Sequence, residues 1–489
     1  MLDMQRRSSR PFLVLMALPS TAMGFALSVQ ISALSWILTT RYGLHIDEIG
    51  LVWAAGPLAG IIGQLLIGLL SDRVWFWGGR RRPFIVLGGL LTSLMLLALP
   101  GIGIISHALG LGGILGVAIA VALALDLSIN VSFNPTRSII TDLTTEGAAR
   151  TRGYTWMQSV SGTFGVLAYG IGAVFDNYVL IYLGAALVLA FSLLPALLIK
   201  EPRQLPGQVD GAAGPRLAAG PGVGRLLIIL MPLWGFLAYD LVAMALRLAV
   251  GNVKTPGLDI AFAVVTMILV VATLAARDRG AQFVKEDLVE FRKVLAAHSF
   301  SWIAAQTMFV YMIAFVQYRF PALGPVDAGK MLSTSFVVMS AVAAVMPAIV
   351  LEPLTRRFGQ IGVHSSCLGI MAAGYAAIYF VGYSPLVLYT LMGVVGIGWA
   401  AIVSLPFAIM SQRVDQSRIG LYMGVFNLSV VLPQLLVSTG IGALVERVAD
   451  KGLIFLIGAG TVGLSAVAWL FLRRGEAVTA PVAANAPGH

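Results

Sequence analysis

Long apolar runs, separated by short polar and charged stretches, dominate the pattern of the chain. A helix that crosses a bilayer requires ~20 mostly apolar residues. By this rule the runs predict fourteen spans, in groups of six, two and six. They lie near 13–38, 49–71, 83–104, 110–141, 153–175 and 178–199, then 226–250 and 258–276, then 300–320, 332–352, 361–381, 385–411, 419–443 and 452–473. The pattern predicts an all-α polytopic membrane protein with two six-helix bundles and an extra helix pair between them.

The amino-acid composition indicates which class of protein this is. Hydrophobic residues make up 58% of the chain, charged residues 11%, and mean hydropathy is +0.90, which excludes an ordinary soluble domain. The net charge of +10 is scattered between apolar runs, so it indicates membrane topology and no nucleic-acid partner. The lone Cys367 excludes an internal disulfide framework. With no phosphate-binding lysine loop, metal-ligand histidine cluster or nucleophile motif, we expect neither an enzyme nor a cofactor.

The basic residues predict the orientation of the chain. By alternation they cluster on one side of the membrane, and the opposite loops carry few of them. Since basic loops stay cytoplasmic, we expect both termini in the cytoplasm of a multi-pass protein of the cell (inner) membrane. The clustered residues are Arg6, Arg7, Arg10, Arg73, Arg80, Arg81, Arg82, Arg150, Arg152, Arg356, Arg357, Arg413, Arg418, Arg473 and Arg474.

The same pattern divides the chain into four segments. We expect an N-terminal bundle over 1–199, a linker with the extra spans over 200–298, a C-terminal bundle over 299–475 and a disordered tail over 476–489. In the linker, 278–300 has the apolar spacing of an amphipathic helix lying on the cytoplasmic membrane surface. Its apolar positions are Phe283, Val284, Leu288, Phe291, Val294 and Leu295.

The two bundles repeat one loop. The second span is followed by SDRVWFWGGRRRPF, and the corresponding place in the second half reads LEPLTRRFGQIG. Both loops pair an acid with downstream arginines and a glycine. Repeated halves around a central site are typical of secondary transporters, and we expect this one to act as a monomer.

Four ordered strings carry a family resemblance. They are GPLAGIIGQLLIGLLSDRVWFWGGRRRPFI (56–85), DLSINVSFNPTRSIITDL (126–143), GIGWAAIVSLPFAIMS (396–411) and GVFNLSVVLPQLLVS (424–438). Together they resemble the glycoside–cation symporter branch of the major facilitator superfamily, which includes the plant sucrose transporters. The resemblance implies a major facilitator fold, alternating access and a sugar cargo moved with a cation.

The chain departs from that branch at three places. Asn134 stands where the family has glycine, and the extra helix pair exceeds the usual twelve spans. The plant proteins also carry acids in the first helix of the second half, whereas the stretch 300–324 here holds none. Disaccharide specificity is therefore not simply inherited.

Asp126 and Arg137 are the leading site candidates. Eleven residues correspond to ~1,100° of helical rotation, close to three full turns, and ~16 Å of rise. Both side chains are therefore expected to face into the bundle. Burial disfavours the charged form of a carboxyl, so Asp126 is suited to carry a proton. Arg137 offers a planar fork of donors for sugar hydroxyls or a carboxylate. The alternative is a fixed ion pair that holds helices together.

Other polar residues are assigned by position. Gln30, Asn130, Asn427 and Arg319 are candidates for substrate contact, with helix–helix hydrogen bonding or snorkelling as the alternatives. Asp240 and Arg247 lie seven residues apart and are interpreted as an ion pair or a coupling element. Trp36, Trp53 and Trp399 are expected to be core or interface anchors. A conformational gate is expected from the residues near the arginine-rich loops, namely Asp72, Arg80, Arg81, Arg82, Asp142, Arg356 and Arg357.

The leading hypothesis is proton-coupled uptake of a sucrose- or maltose-like glycoside. Its partners are the sugar, H⁺ and the lipid bilayer. An alternative keeps the fold but moves an apolar cargo such as a pigment or drug. A third is a membrane assembly or sensor protein that transports nothing.

Overall fold

The computed structural model describes residues 9–60, 63, 75–110, 113–144, 148–201, 223–250, 256–276, 288–414 and 419–472. Within these ranges the structure is helical apart from loops and one isolated antiparallel bridge between Phe76 and Gly79. The fold class predicted from the apolar runs is confirmed.

Residues 55–60 are helical, and the described residues of the N-terminal half and the middle of the chain hold ten further α-helices. They are α1 Arg10–Thr40, α2 Ile46–Trp53, α3 Arg82–Ala98, α4 Ile102–Ala108, α5 Ile114–Leu143, α6 Ala148–Val174, α7 Asn177–Leu198, α8 Val223–Ile229, α9 Trp234–Val250 and α10 Pro256–Ala275. Short 3₁₀ turns, Leu99–Gly101 and Met231–Leu233, precede α4 and α9.

The described residues of the C-terminal half hold eight more. They are α11 Leu288–Arg319, α12 Pro325–Met346, α13 Glu352–Phe358, α14 Gln360–Val381, α15 Pro385–Ser411, α16 Ile419–Leu436, α17 Gly442–Arg447 and α18 Leu453–Trp469. Two π-helical segments, Pro347–Leu351 and Val437–Ile441, join α12 to α13 and α16 to α17.

Length and hydropathy identify the spans. Among the described residues, eleven helical stretches are long and apolar enough to cross a membrane, including both members of the extra pair. The 27-residue α6 and the shorter apolar α18 lie at two further predicted positions. The second predicted span, 49–71, lies partly outside the described residues.

Simple local chemistry begins several helices. Asp176 accepts a hydrogen bond of 2.8 Å from the backbone N–H of Val179, and Ser384 accepts from Val387 at 3.3 Å. These caps satisfy donors that a helix N-terminus otherwise leaves unpaired. Proline occupies the first turn of α1, α3, α12 and α15, where its missing N–H costs nothing.

The helices pack into two bundles. In the first, α1 packs on α6 and α7, and α3 packs on α5 and α7. In the second, α11 and α14 both pack on α18, and α15 packs on α12 and α14. The extra pair attaches to the second bundle, where α9 contacts α16 and α10 contacts α11. The bundles meet where α12 packs on α6, and where α2 packs on α17 and its preceding π segment.

One predicted element is wrong in its described part. Residues 288–298 do not lie along a membrane surface but form the buried start of α11. Two charged residues, Glu290 and Lys293, are buried in this part of α11. Their burial is tolerated because their side chains pair at 2.9 Å and Lys293 also donates to the carbonyl oxygen of Phe471 at 3.2 Å. Phe283 and Val284 lie outside the described residues.

Candidate functional site

A cavity of about 360 Å³ lies between the two bundles. This volume falls in the range of small-molecule sites. Its described walls come from both halves of the chain. Six lining residues are polar, namely Gln30, Asp126, Asn130, Gln306, Asn427 and Gln434. Five are aromatic, namely Trp53, Phe133, Trp302, Phe309 and Trp399.

The N-terminal wall is built around Asp126. Its Oδ2 accepts a hydrogen bond of 3.0 Å from the side-chain amide of Gln30 on α1. The amide of Asn130, one turn further along α5, donates to the backbone carbonyl of Asp126 at 2.8 Å. The carboxyl is buried, and Asp126 is the one charged residue of the described lining. On this wall the ionisable carboxyl group of Asp126 therefore lies beside the neutral side-chain amides of Gln30 and Asn130.

Gly56 brings the chain after α2 against this carboxyl. A Cβ at Gly56 would lie 3.2 Å from Oδ2 of Asp126, tighter than ordinary van der Waals contact. A glycine at this position therefore allows close approach to the acid without displacing it.

The C-terminal wall carries a second amide pair. Nε2 of Gln434 on α16 donates to Oε1 of Gln306 on α11 at 3.2 Å. Trp302 and Phe309 lie four residues before and three after Gln306, so the three share one face of α11. Trp399 on α15 packs edge-on against both rings, with centroids 5.8 and 5.2 Å apart. This wall therefore combines amide groups with a continuous aromatic surface.

Buried His298 holds one of these rings. Its Nε2 accepts the indole N–H of Trp302 at 2.9 Å, and its ring stacks on Phe426 at 4.7 Å. Because its N–H is already bonded within the bundle, Trp302 contributes apolar ring surface to the cavity.

The two arginine candidates lie outside the cavity lining. Arg137 is exposed, and its guanidinium carbon lies 4.2 Å from the ring centroid of Phe133, a lining residue. Arg319 ends α11, donates to the carbonyl oxygen of Tyr379 at 3.2 Å and stacks over Tyr383 at 4.1 Å. Asp126 bonds to Gln30 and not to Arg137, so the alternative of a fixed ion pair between Asp126 and Arg137 is not what the structure shows.

The predicted gate residues form contacts within each half. Arg80 and Arg81 bind Oδ2 of Asp142 at 3.0 and 3.1 Å. Arg356 pairs with Glu352 on the exposed surface of α13, and Arg357 is exposed too. Asp72 lies outside the described residues.

Glu201 completes the loop before α3. Its carboxylate accepts hydrogen bonds of 2.7–3.2 Å from the backbone N–H groups of Arg80, Arg81 and Arg82. Three N–H groups at a helix N-terminus are a favourable place for a negative charge. A Cβ at Gly79 would lie 2.6 Å from Oε1 of Glu201, so the loop requires glycine there.

Of the candidate pair in α9, Asp240 and Arg247, the structure describes the side chain of Asp240 only. Both carboxyl oxygens of Asp240 are buried and have no hydrogen-bond partner among the described residues. Its neighbour Tyr239 donates to Asp259 of α10 at 3.2 Å. Arg247 lies in α9, and its side chain is outside the described part of the structure.

Hydrogen bonds between the bundles close one end of the cavity region. The hydroxyl oxygens of Ser32 of α1 and Ser333 of α12 lie 2.6 Å apart, and they lie 3.2 and 2.9 Å from Oδ1 of Asn177. One hydroxyl donates to the other, and the second donates to Asn177. The indole N–H of Trp36 donates to the carbonyl oxygen of Pro325 at 2.7 Å. These contacts tie α1 and α7 to α12 in a buried cluster.

A second contact at the same end joins α2 to the π segment and α17. A Cβ at Gly50 would clash with the carbonyl oxygen of Ser438, so the two segments approach this closely only because residue 50 is glycine. The backbone N–H of Ile46 donates to Glu446 at 3.1 Å, and the His45 imidazole lies 3.7 Å from the same carboxylate. The end of the bundles next to residues 41–45 and 448–452 is therefore closed.

Some residues that line the cavity were not found from sequence. Gln306, Trp302 and Phe309 line the cavity without having been candidates. Of the three tryptophans interpreted as anchors, Trp36 does bridge the bundles, whereas Trp53 and Trp399 line the cavity. A lone amide inside the apolar stretch 303–316 was the available signal for Gln306.

Comparison with known proteins identifies the family of this chain. The sequence model of the Major Facilitator Superfamily matches residues 16–438. The chain belongs to this superfamily. The Major Facilitator Superfamily consists of membrane transporters, so the expectation that the protein is a transporter and not an enzyme is confirmed.

Two relatives of this superfamily member are informative. The sucrose transport protein SUC4 of Arabidopsis thaliana is 23% identical over 479 residues, covering 88% of this chain and 83% of the relative. The general alpha-glucoside permease of Schizosaccharomyces pombe is 33% identical over 108 residues, covering 20% and 19% of the two chains. The predicted resemblance to the sucrose-transporter branch is thereby confirmed.

Solved structures show the same fold. The inward-open xylose transporter XylE from E. coli superimposes with a TM-score of 0.59 at 13% identity, covering 96% of this chain and 97% of that one. The nucleoside transporter NupG gives 0.58 at 13% identity, with coverage of 94% and 98%. At these identities the likeness concerns the fold alone.

Proposed function

We propose that this protein is a proton-coupled symporter that takes up an uncharged glycoside of the sucrose or maltose type. The observation that carries the proposal is the cavity between the bundles. It has one buried carboxyl on its N-terminal wall and amides with aromatic rings on its C-terminal wall. The protein works in the cell membrane as a monomer with both termini in the cytoplasm.

The residues that line the cavity favour a sugar over an apolar cargo. A sugar offers hydroxyls to amide groups and C–H faces to aromatic rings, and both kinds of partner line the cavity. Sucrose transport proteins of Arabidopsis thaliana and rice align over most of this chain, which supports the same class of cargo. An apolar pigment or drug would offer no partner to the donors and acceptors of these six side chains that are not already bonded within the protein.

Asp126 is the proton site in this proposal. A carboxyl in the membrane interior is expensive to keep charged, so taking up a proton offsets its burial. Gln30 donates to the ionised form and holds it in place when the proton leaves. Asn130 and Asn427 contact the sugar, and Arg137, stacked on Phe133, binds cargo as it passes.

Alternating access follows from two sets of contacts. The cluster of Ser32, Asn177 and Ser333 holds one end closed. When it opens, the arginine-rich loops at the other end close, and the Arg80–Arg81–Asp142 contacts rearrange with Asp72, Arg356 and Arg357. Proton and sugar binding together allow the exchange between the two states.

Uptake into proteoliposomes tests the proposal. Purified protein is reconstituted, and labelled sucrose and maltose are supplied with and without an inward proton gradient. We expect accumulation above the outside concentration only with the gradient. Asp126→Asn should abolish accumulation while sugar exchange persists, and Asp327→Asn, an exposed acid in the first turn of α12, serves as the matched control.

Two results would contradict the proposal. Normal gradient-driven accumulation by Asp126→Asn would remove the proton site. The absence of flux for every sugar tested would remove the cargo class and favour an apolar one.

A further inference from the structure

The amides of Gln306 and Gln434 form a pair on the C-terminal wall of the cavity. One amide offers two N–H donors and one carbonyl acceptor. The single bond between them uses the carbonyl of Gln306 and one N–H of Gln434. Among the described residues no other group bonds to these amides, so both donors of Gln306, the carbonyl of Gln434 and its second N–H are open to a ligand.

Burial makes these available groups significant. Gln306 is only 4% exposed, and both residues line the cavity. A polar group taken out of water without a hydrogen-bond partner is destabilising. A ligand with hydroxyl groups in the cavity would therefore satisfy this pair. The free donors of Gln306 lie beside the free carbonyl of Gln434. This arrangement matches two neighbouring sugar hydroxyls, because each hydroxyl both donates and accepts a hydrogen bond.

Aromatic rings surround the pair on the same wall. Trp302 and Phe309 flank Gln306 on one face of α11, and Trp399 packs edge-on against both. The Trp302 N–H is bonded to His298, so the ring presents apolar surface. A pyranose ring has an apolar C–H face and an equatorial rim of hydroxyls. The wall therefore fits such a ring with its face on the aromatics and its rim at the amides.

Charge defines what the cavity admits. Its described lining contains no lysine, arginine or histidine, and its one charged residue is the acid Asp126. A phosphate or carboxylate on the sugar would lose its water with no cation of the described lining to replace it, and it would face that acid. The lining thus selects against anionic sugars.

We propose that Gln306 and Gln434 form the hydroxyl-recognition element of the C-terminal half, which selects an uncharged pyranoside with neighbouring hydroxyls and rejects sugar phosphates and uronates. The N-terminal half binds the proton. This inference rests on the proposed function and adds the residues and the charge rule that set specificity.

Leucine substitutions separate the two roles. Gln306→Leu and Gln434→Leu should each raise the KM for the labelled disaccharide at least tenfold. The ratio of uptake with and without a proton gradient, measured at saturating sugar, should stay at the wild-type value. Because the two amides act together, the double variant should be less impaired than the product of the single effects. Gln317→Leu changes the same residue type on the same helix outside the cavity lining and serves as the control.

A size-conserving variant keeps the test valid if the leucine variants fold poorly. Gln306→Glu still accepts from Gln434 but lacks both donors. We expect a KM for the neutral disaccharide at least tenfold higher than wild type. Competition by an amino-sugar glycoside, which carries a positive charge, should become at least fivefold stronger relative to the neutral sugar.

Competition by the 6-phosphate of the transported disaccharide tests the charge rule. A hundredfold excess should leave wild-type uptake unchanged, whereas the same excess of the unlabelled neutral sugar should suppress it. Equal inhibition by the phosphate would overturn the rule. Wild-type transport with an unchanged KM in the glutamine variants would overturn this inference and leave the proposed function standing. Absence of any sugar flux in the wild type would instead overturn the proposed function.

Discussion

The side-chain amide of Gln30 donates to Oδ2 of Asp126 at 3.0 Å and joins α1 to α5 at the cavity wall. Both residues are buried, and they lie 96 positions apart in the chain. The amide orients the carboxyl, and no lysine, arginine or histidine of the described lining pairs with it. In the proposed transport cycle such an acid exchanges its proton as the cavity fills and empties, whereas a fixed ion pair would keep it ionised.

Replacing Gln30 should impair coupling. A hydrogen bond to a charged group contributes about 1.5–3 kcal/mol, and ~1.4 kcal/mol corresponds to a factor of ten. We therefore expect Gln30→Leu to lower the initial rate of gradient-driven uptake roughly tenfold. Thr39→Val on the same helix, which loses only a bond to the carbonyl oxygen of Ser35, should change little. Wild-type uptake by Gln30→Leu would show that the bond serves packing alone.

Breaking the closed end should shift the conformational equilibrium. Ser333→Val removes bonds from α12 to Ser32 and Asn177 on the other bundle. Loss of about 1 kcal/mol shifts a two-state equilibrium about fivefold. A cysteine placed at Ile31 on the cavity wall should then react several-fold faster with an impermeant thiol reagent added at that end.

Two features of the chain make this labelling experiment clean. Cys367, the sole native cysteine, is buried, which keeps background labelling low. Ser335→Val provides the control, because the Ser335 hydroxyl bonds only within α12, to the carbonyl oxygen of Met331. Equal labelling rates in the two variants would exclude the cluster as a seal.

The loop before α3 should depend on Glu201. Glu201→Ala leaves three backbone N–H groups without their acceptor. Loss of a cap lowers the free energy of unfolding by about 0.5–2 kcal/mol, and we expect the upper part of that range here. Glu201→Gln keeps one acceptor and should lose less. Thermal unfolding in detergent should therefore give a lower melting temperature for Glu201→Ala than for Glu201→Gln. Equal melting temperatures for the two variants would contradict this prediction.

The two arginine-rich loops should differ in their sensitivity to charge removal. Asp142→Asn breaks a buried pair with Arg80 and Arg81, and removal of one partner of a buried pair costs about 3–5 kcal/mol. Glu352→Gln breaks a pair whose side chains are 78% and 58% exposed, worth about 0–1 kcal/mol. We expect a large drop in melting temperature only for the first variant. Similar drops would mean that exposure does not decide the contribution.

Much of the candidate site could be predicted from sequence. Asp126, Asn130, Gln30 and Asn427 were all selected as polar residues inside apolar spans, and the structure brings all four to one cavity. The prediction works because a polar group in a membrane helix must turn away from lipid. That constraint acts residue by residue, so it is visible without knowledge of the partners.

Partners across the fold were not predictable in the same way. Arg137 follows Asp126 at the spacing of three helical turns, yet it lies over Phe133, and Asp126 bonds to Gln30 instead. Helical periodicity gives a direction around one helix but not the neighbour that helix will meet. Glu201 was missed for the same reason, because its three partners lie 119–121 residues earlier in the chain.

The sequence by itself determined the membrane class, the positions of the spans and the superfamily, because hydropathy and local motifs act over one helix at a time. The tertiary structure alone decided which helices meet, and therefore which amides and rings share a cavity. Gln306 and Gln434 are 128 residues apart, and their pairing depends on how α11 packs against α16. Contacts of that kind arise from packing between helices, which no pattern within a single helix records.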